Sequence, residues 1–184
     1  HTPNIDVTGL QAEALGLPLV SVVTDGKKEE ELADLEEAIV KAKRKFGIEG
    51  IVTGAVESFY QSTRIQRICD KLDLQCFNPL WKHDQKALLE MLIQKKFKVI
   101  ISGIFAYPLD ETWLGKQIDT EVIARLVELQ AEYGISPSGE GGEIETTVLD
   151  APMFKQKLVV TDAMVDARGN SGVYIIKQVR LVAK

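Results

Sequence analysis

Apolar positions recur along this chain with two different spacings. Leu19 to Thr24 is a β-branched, largely apolar run, and its pattern predicts a strand. The segment EEELADLEEAIVKAKRKFG follows, with Leu32, Leu35, Ile39, Ala42 and Phe46 at helical intervals. It opens acidic, closes basic and stops at Gly47, as a helix aligned with its own dipole does. GIVTGA predicts a short buried strand that ends in a turn. FYQSTRIQRICDKL predicts a helix with Ile65, Ile68, Cys69 and Leu72 on one face, and LQCFNPLW a further short strand stopped by Pro79. The resulting β-α-β-α-β rhythm is that of a parallel sheet, so the fold class expected is α/β.

A second part begins near His83. DQKALLEMLIQKKF predicts a helix with Leu88, Leu89, Leu92, Ile93 and Phe97 inward, KVIISGI a buried strand, and DTEVIARLVELQAEYG a helix that stops at Gly134. After Gly139 the rhythm changes. EIETTVL, QKLVVTDAMV and GVYIIKQVRLV read as three strands with no helix between them, and ARGNSG reads as a hairpin loop. His83 beside Asp84 has the residue types of a base and its orienter, but the pair falls where a helix starts, and Asp84 there suits an N-cap.

Composition narrows the function classes. The chain has 184 residues and a net charge of -5, which argues against a general phosphate-backbone binder, so no nucleic-acid partner is expected. No apolar run reaches the roughly 18 residues of a membrane-spanning helix, and no secretory signal is visible. Cys69 and Cys76 form no CxxC pair and read as reduced, packing thiols of a cytoplasmic protein.

In an open parallel sheet, ligands bind beyond the carboxyl ends of the strands. Those ends are expected at Thr24–Gly26, Thr53–Ser58 and Asn78–Trp81, with Gly54 open to close approach by a ligand. The stretch GEGGEIETTVLDAP, Gly139 to Pro152, raises a different question, because it crowds glutamates beside flexible backbone. If EIETTVL is a strand, Glu143, Glu145 and Thr147 share one face, and Gly141-Gly142 lets Glu140 fold toward them. Three converging carboxylates call for a cation: Mg²⁺, a cationic substrate group or ammonium. The alternative is a solvated edge strand whose charges deter aggregation.

The acidic stretch, GEGGEIETTVLDAPMF, resembles the EGGExET signature of the diphthine–ammonia ligase family, archaeal and eukaryotic. HTPN, LQAEALGLPL, GAVESFYQSTRI, PLW and WLGKQID agree with it in order along essentially the whole chain. The resemblance implies a nucleotide-binding domain of the PP-loop ATP pyrophosphatase (HUP-like) type over residues 1–82. A smaller family-specific α+β domain, carrying GEGGEIET, would occupy residues 83–184. It implies ATP-dependent amidation with ATP and Mg²⁺. The carboxylate of diphthine on elongation factor 2 is adenylated, and ammonia then displaces AMP to give diphthamide. The family's SGGKDS phosphate loop is absent from these 184 residues and is expected upstream of His1.

On this reading Thr53, Gly54, Ala55, Ser58, Tyr60 and Gln61 are nucleotide or substrate contacts, and Glu140, Glu143 and Glu145 are catalytic; no residue is assigned to a protein-bound metal. Because diphthine carries a trimethylammonium group, Tyr60, Trp81, Tyr107 and Trp113 are candidate rings beside the carboxylates. Two other readings compete: an ATP pyrophosphatase acting on RNA, and a non-catalytic ATP-binding module. The charge and the missing CxxC count against the first; the second leaves GEGGEIET without a role.

Overall fold

The computed structural model describes residues 3–24 and 30–184, without the side chains of residues 30 and 59–61. The chain divides into two compact units, one running over residues 19–83 and the other joining residues 3–18 to Asp84–Lys184. Both mix helix and sheet, so the chain is α/β with one small parallel sheet and one antiparallel sheet.

In the 19–83 unit, helix α2 (Glu30–Phe46) and helix α3 (Phe59–Lys71) accompany strands β1 (Gly50–Val52) and β2 (Gln75–Phe77). The strands pair in parallel, Ile51 opposite Cys76. Ile39 from α2, Ile68 and Cys69 from α3, and Leu74 form the core, where the helical stripes read from the sequence meet. Leu19–Thr24 is not a strand. It joins no strand ladder among the described residues, and Val23 is 94% exposed. A β-branched run supplies propensity, but a strand also needs a neighbouring ladder. The parallel sheet described is therefore two-stranded, not three-stranded.

Cys69 is fully buried, and burial, reinforced by neighbouring Cys76, pushes its thiol up to about 11. Since the thiolate is the nucleophile, Cys69 is expected to resist iodoacetamide at pH 8 while the protein is folded, with half-buried Cys76 modified first. Peptide mapping after timed alkylation checks the order.

In the other unit, helix α1 (Val7–Leu15) precedes helix α4 (Gln85–Gln94), strand β3 (Lys98–Ile104) and helix α5 (Thr120–Tyr133). Strands β4 (Ile144–Asp150), β5 (Gln156–Arg168) and β6 (Ser171–Ala183) complete it. The antiparallel sheet has the order β4-β3-β6-β5. Asp84 caps α4, its carboxylate accepting from Ala87 N at 2.8 Å, which settles the His83–Asp84 pair as a helix start. Gly134 ends α5 in the left-handed region at φ 74°. The ARGNSG stretch makes the β5–β6 hairpin, where Arg168 pairs with Ser171.

The main core packs Leu89 of α4 and Ile123, Leu126 and Leu129 of α5 against Val99, Ile101 and Ile104 of β3. A second core sets Val7 and Ala14 of α1 against Phe154 and Leu158, with Ile176, Val179 and Leu181 of β6 alongside. Helix α1 shows no one-sided apolar stripe and carries Gly9, so the apolar pattern did not announce it.

Strand β6 pairs with β3 only through Gly172 and Val173. Beyond that point the side chain of Asn4 takes over the ladder. Its Oδ1 accepts from Ile176 N at 2.8 Å, and its Nδ2 donates to Tyr174 O at 2.9 Å. Gln11 does the same for the other edge, donating to Val148 O at 2.8 Å. Asn4→Ala removes one donor and one acceptor from a part-buried strand and is expected to cost about 1–2 kcal/mol. Urea unfolding measures it, and Asn4→Asp, which keeps only the acceptor, should fall between.

Candidate functional site

Within the 19–83 unit, Thr53–Ser58 and Asn78–Trp81 leave the same end of two adjacent parallel strands. Thr53 N donates to Phe77 O at 2.9 Å, extending the ladder by one residue, and the Thr53 hydroxyl donates to Asn78 Oδ1. The same hydroxyl oxygen accepts from Ala55 N at 3.3 Å, while Val56 O accepts from Lys82 N at 2.8 Å. These bonds tie the two turns into one rim. Ala55 and Val56 are buried under it and Ser58 is half-buried. Gly54 is exposed, and the space where a Cβ would stand is empty to 4 Å, so its backbone is open to a ligand. Tyr60 and Gln61 lie in the first turn of α3, but their side chains fall outside the described residues.

Asn78 and Trp81 also line a cavity of about 580 Å³ with Ser62, Gln66, Arg67 and Asp70 of α3. Arg67 supplies a cation there that the sequence reading passed over, because it counted only residues next to the TGA turn. The Trp81 ring already has Lys82 Nζ at 5.5 Å from its centroid, an arrangement that competes with any ligand cation.

The acidic stretch belongs to the other unit and is built in two pieces. Ser136 to Gly142 is a loop pinned from both sides. Gln85, buried at the start of α4, accepts from Ser138 N at 3.1 Å and from the Ser138 hydroxyl at 2.9 Å, and its amide donates to Ser136 Oγ at 3.4 Å. Glu143 holds the other side, its Oε1 accepting from Ser136 N at 3.2 Å. A Cβ at Gly141 would lie 2.4 Å from Glu143 Oε1, so a side chain there would push the Glu143 carboxylate out of its place. Glu140 is half-buried in the turn between Gly139 and Gly142.

This arrangement corrects the alternation argument. Strand β4 begins at Ile144, because Gly142 stands at φ 84° and breaks the extended run before Glu143. Glu145 and Thr147 do share a face, the one that Asn4 covers, with Asn4 Nδ2 3.5 Å from Thr147 Oγ1. Glu143 instead folds into its own loop, where Oε2 is buried and makes no hydrogen bond. Among the described residues no group of three or more His, Cys, Asp or Glu side chains is close enough to hold a metal ion. The glutamates therefore do not fit a Mg²⁺ cage, and a buried carboxylate oxygen in a rigid loop fits a singly charged, hydrogen-bonding cation better.

The candidate rings also need revision. Trp113 is part of the main core, and Tyr107 is 65% exposed, meeting Tyr133 edge-on at 5.3 Å. The ring that shares a cavity with Glu145 is Phe105. It packs over Gly103, where a Cβ would lie 2.8 Å from the ring, and Gly103 is the ladder partner of Glu145. Among the described residues no helix is long and apolar enough to cross a membrane.

Residues 84–182 match the diphthamide synthase C-terminal domain and residues 1–76 the diphthamide synthase N-terminal domain. A diphthine–ammonia ligase of Bos taurus is 38% identical over 168 residues, covering 85% of this chain and 62% of the relative. One of Mus musculus is 39% identical over 163 residues, covering 82% and 61%. One of Schizosaccharomyces pombe is 33% identical over 184 residues, covering 94% of this chain and 30% of the relative. The chain thus spans about three fifths of the length of its mammalian relatives. With both domain signatures present in order, and identity above 30% across most of its residues, this chain belongs to the diphthamide synthase family.

Proposed function

We propose that the chain is part of an ATP-dependent ligase that amidates diphthine on elongation factor 2. The observation that carries this reading is the pinned glutamate loop, with a buried Glu143 oxygen that makes no hydrogen bond, in a chain whose relatives are named diphthine–ammonia ligases. ATP is the co-substrate. A diphthine carboxylate oxygen attacks the α-phosphorus, the α–β phosphoanhydride bond breaks and pyrophosphate leaves. Ammonia attacks the acyl carbon, the C–O bond to AMP breaks, and nitrogen sheds a proton.

Each step gives this chain a task. The rim of Thr53–Ser58 and Asn78–Trp81, with an open Gly54 and Arg67 nearby, suits a nucleotide, offering backbone and hydroxyl groups and one guanidinium. In this reading Glu143 holds ammonium at its buried oxygen and accepts the proton that nitrogen loses, a role its buried Oε2 without a hydrogen bond supports. The Gln85 and Ser136 bonds keep that carboxylate in one position, which is how a preorganised site acts on charge as it develops. Any Mg²⁺ would arrive on the ATP phosphates, since the described residues form no cage for it.

The test supplies the complete gene product with ATP, ammonium and elongation factor 2 bearing diphthine. Diphthamide should form with one AMP and one pyrophosphate per amide. ADP and phosphate in their place, or turnover that ignores ammonium, would overturn the reading.

A further inference from the structure

Charge is sorted along the antiparallel sheet. At one end β3 begins, β4 ends, β5 begins and β6 ends. Lys98 is the ladder partner of Asp150, Gln156 that of Ala183, and Lys184 Nζ reaches Asp150 Oδ1 at 2.7 Å. Lys95 and Lys96 lead into β3 at Lys98, Lys155 and Lys157 stand where β5 begins, and Arg180 and Lys184 where β6 ends. Across these segments, 95–98, 150–157 and 180–184, Asp150 is the one acidic residue, and Lys184 already holds it. The glutamates lie at the opposite strand ends, Glu143 next to Ile144 and Glu145 opposite Gly103.

The register makes a checkerboard of the β5–β6 face at the basic end. Lys157 stands opposite Val182 and Val159 opposite Arg180, so cations occupy one diagonal and valines the other. Val159 is 37% exposed and Val182 41%, and Arg180 is exposed beside them. The other face of the same strands, with Leu158, Val179 and Leu181, belongs to the core with α1. Met153, exposed in the loop between β4 and β5, adds a third apolar group two residues before Lys155.

We propose that this basic end of the sheet docks an acidic polypeptide segment in which aliphatic side chains stand beside the carboxylates. The carboxylates answer Lys157, Arg180 and the lysines around them, and the aliphatic groups answer the valines and Met153. A nucleic-acid strand would use the cations but leave those apolar groups without a partner. It would also find no open ring on which to stack a base, since Phe97 is half-buried and Phe154 buried. An anionic membrane needs apolar groups that reach the acyl boundary, whereas Val159 and Val182 are short side chains held on a strand. Docking at this end leaves the glutamate loop, at the other end of the strands, uncovered.

The proposal stands apart from the ligase reading, and its test uses neither ATP nor turnover. A fluorescent peptide of glutamates and leucines is titrated with the complete gene product. Beside it run poly-L-glutamate of the same length, a uridine oligonucleotide, and vesicles of phosphatidylserine and phosphatidylcholine. The mixed peptide should bind saturably, shift the NMR amides of Lys157–Val159 and Arg180–Val182, and weaken as salt is raised. It should bind at least about tenfold more tightly than polyglutamate, because it alone buries apolar surface on the valines. Lys157→Gln combined with Arg180→Gln should weaken both peptides by about tenfold. Val159→Ser combined with Val182→Ser should weaken the mixed peptide several-fold and leave polyglutamate unchanged. Urea unfolding shows whether each variant keeps its fold; where one does not, the amide map of the unaltered chain decides. No saturation, shifts confined to other strands, equal binding of polyglutamate, or tighter binding of the oligonucleotide or the vesicles would overturn the proposal.

Discussion

Glu143→Gln should lower amide-forming turnover by about 10²–10³, equivalent to about 2.7–4 kcal/mol of transition-state stabilisation, the range found when one preorganised electrostatic group is lost. Glutamine keeps the acceptor that Ser136 N uses, so the loop stays pinned. It also replaces a buried carboxylate oxygen that has no hydrogen bond, so folding should survive. What disappears is the negative charge at the point where ammonium would be held and deprotonated. The comparison is Glu132→Gln, exposed on α5, which should leave turnover unchanged. Steady-state assays with diphthine-bearing elongation factor 2 measure both. Full turnover in Glu143→Gln would make the loop a purely structural feature.

Gly139→Ala is expected to destabilise the protein by about 2–5 kcal/mol. Gly139 stands at φ 77°, which costs a side chain about 1–2 kcal/mol. Its added Cβ would also lie 2.3 Å from the carbonyl oxygen of Ile144, so backbone has to move, and overpacking of that kind costs a further 1–3 kcal/mol or so. Gly142→Ala isolates the first effect. Gly142 has φ 84° but open space to 4 Å, so about 1–2 kcal/mol is expected. Urea unfolding of the two variants side by side gives the difference. Because the shift pushes on the first residue of β4, Gly139→Ala should also displace Glu143 and Glu145 and depress turnover beyond its effect on stability.

Periodicity carried the reading where an element's own residues decide it. The stripe of Leu32, Leu35 and Ile39, and that of Leu88, Leu89 and Leu92, both form helices, with Ile39, Leu88 and Leu89 buried, Leu32 and Leu92 half-buried, and Leu35 left exposed. Leu19–Thr24 failed because a strand needs a ladder partner, which no residue of the run encodes. The acidic stretch was legible as a site and illegible as a shape. Alternation placed Glu145 and Thr147 correctly, but the left-handed turn at Gly142 released Glu143 from the pattern. Phe105 was passed over because its role comes from a register shift between Ile101 and Gly103 that pairs Gly103 with Glu145, a tertiary fact. The rim at Thr53 and Asn78 was readable because strand order alone puts consecutive parallel strand ends side by side.

The clasp of Asn4 on β6 also bears on the order of events as the chain is made. Its partners, Tyr174 and Ile176, are 170 and 172 residues away in sequence. Translation delivers the turn at Asn4 long before those partners, so the clasp can close only once β6 has been made. Closing so long a loop is entropically slow, and contacts of this range set folding rates. Until the hairpin of β5 and β6 arrives, α1 lacks much of the surface on which it buries Val7 and Ala14, and that apolar stretch is a natural client for chaperones.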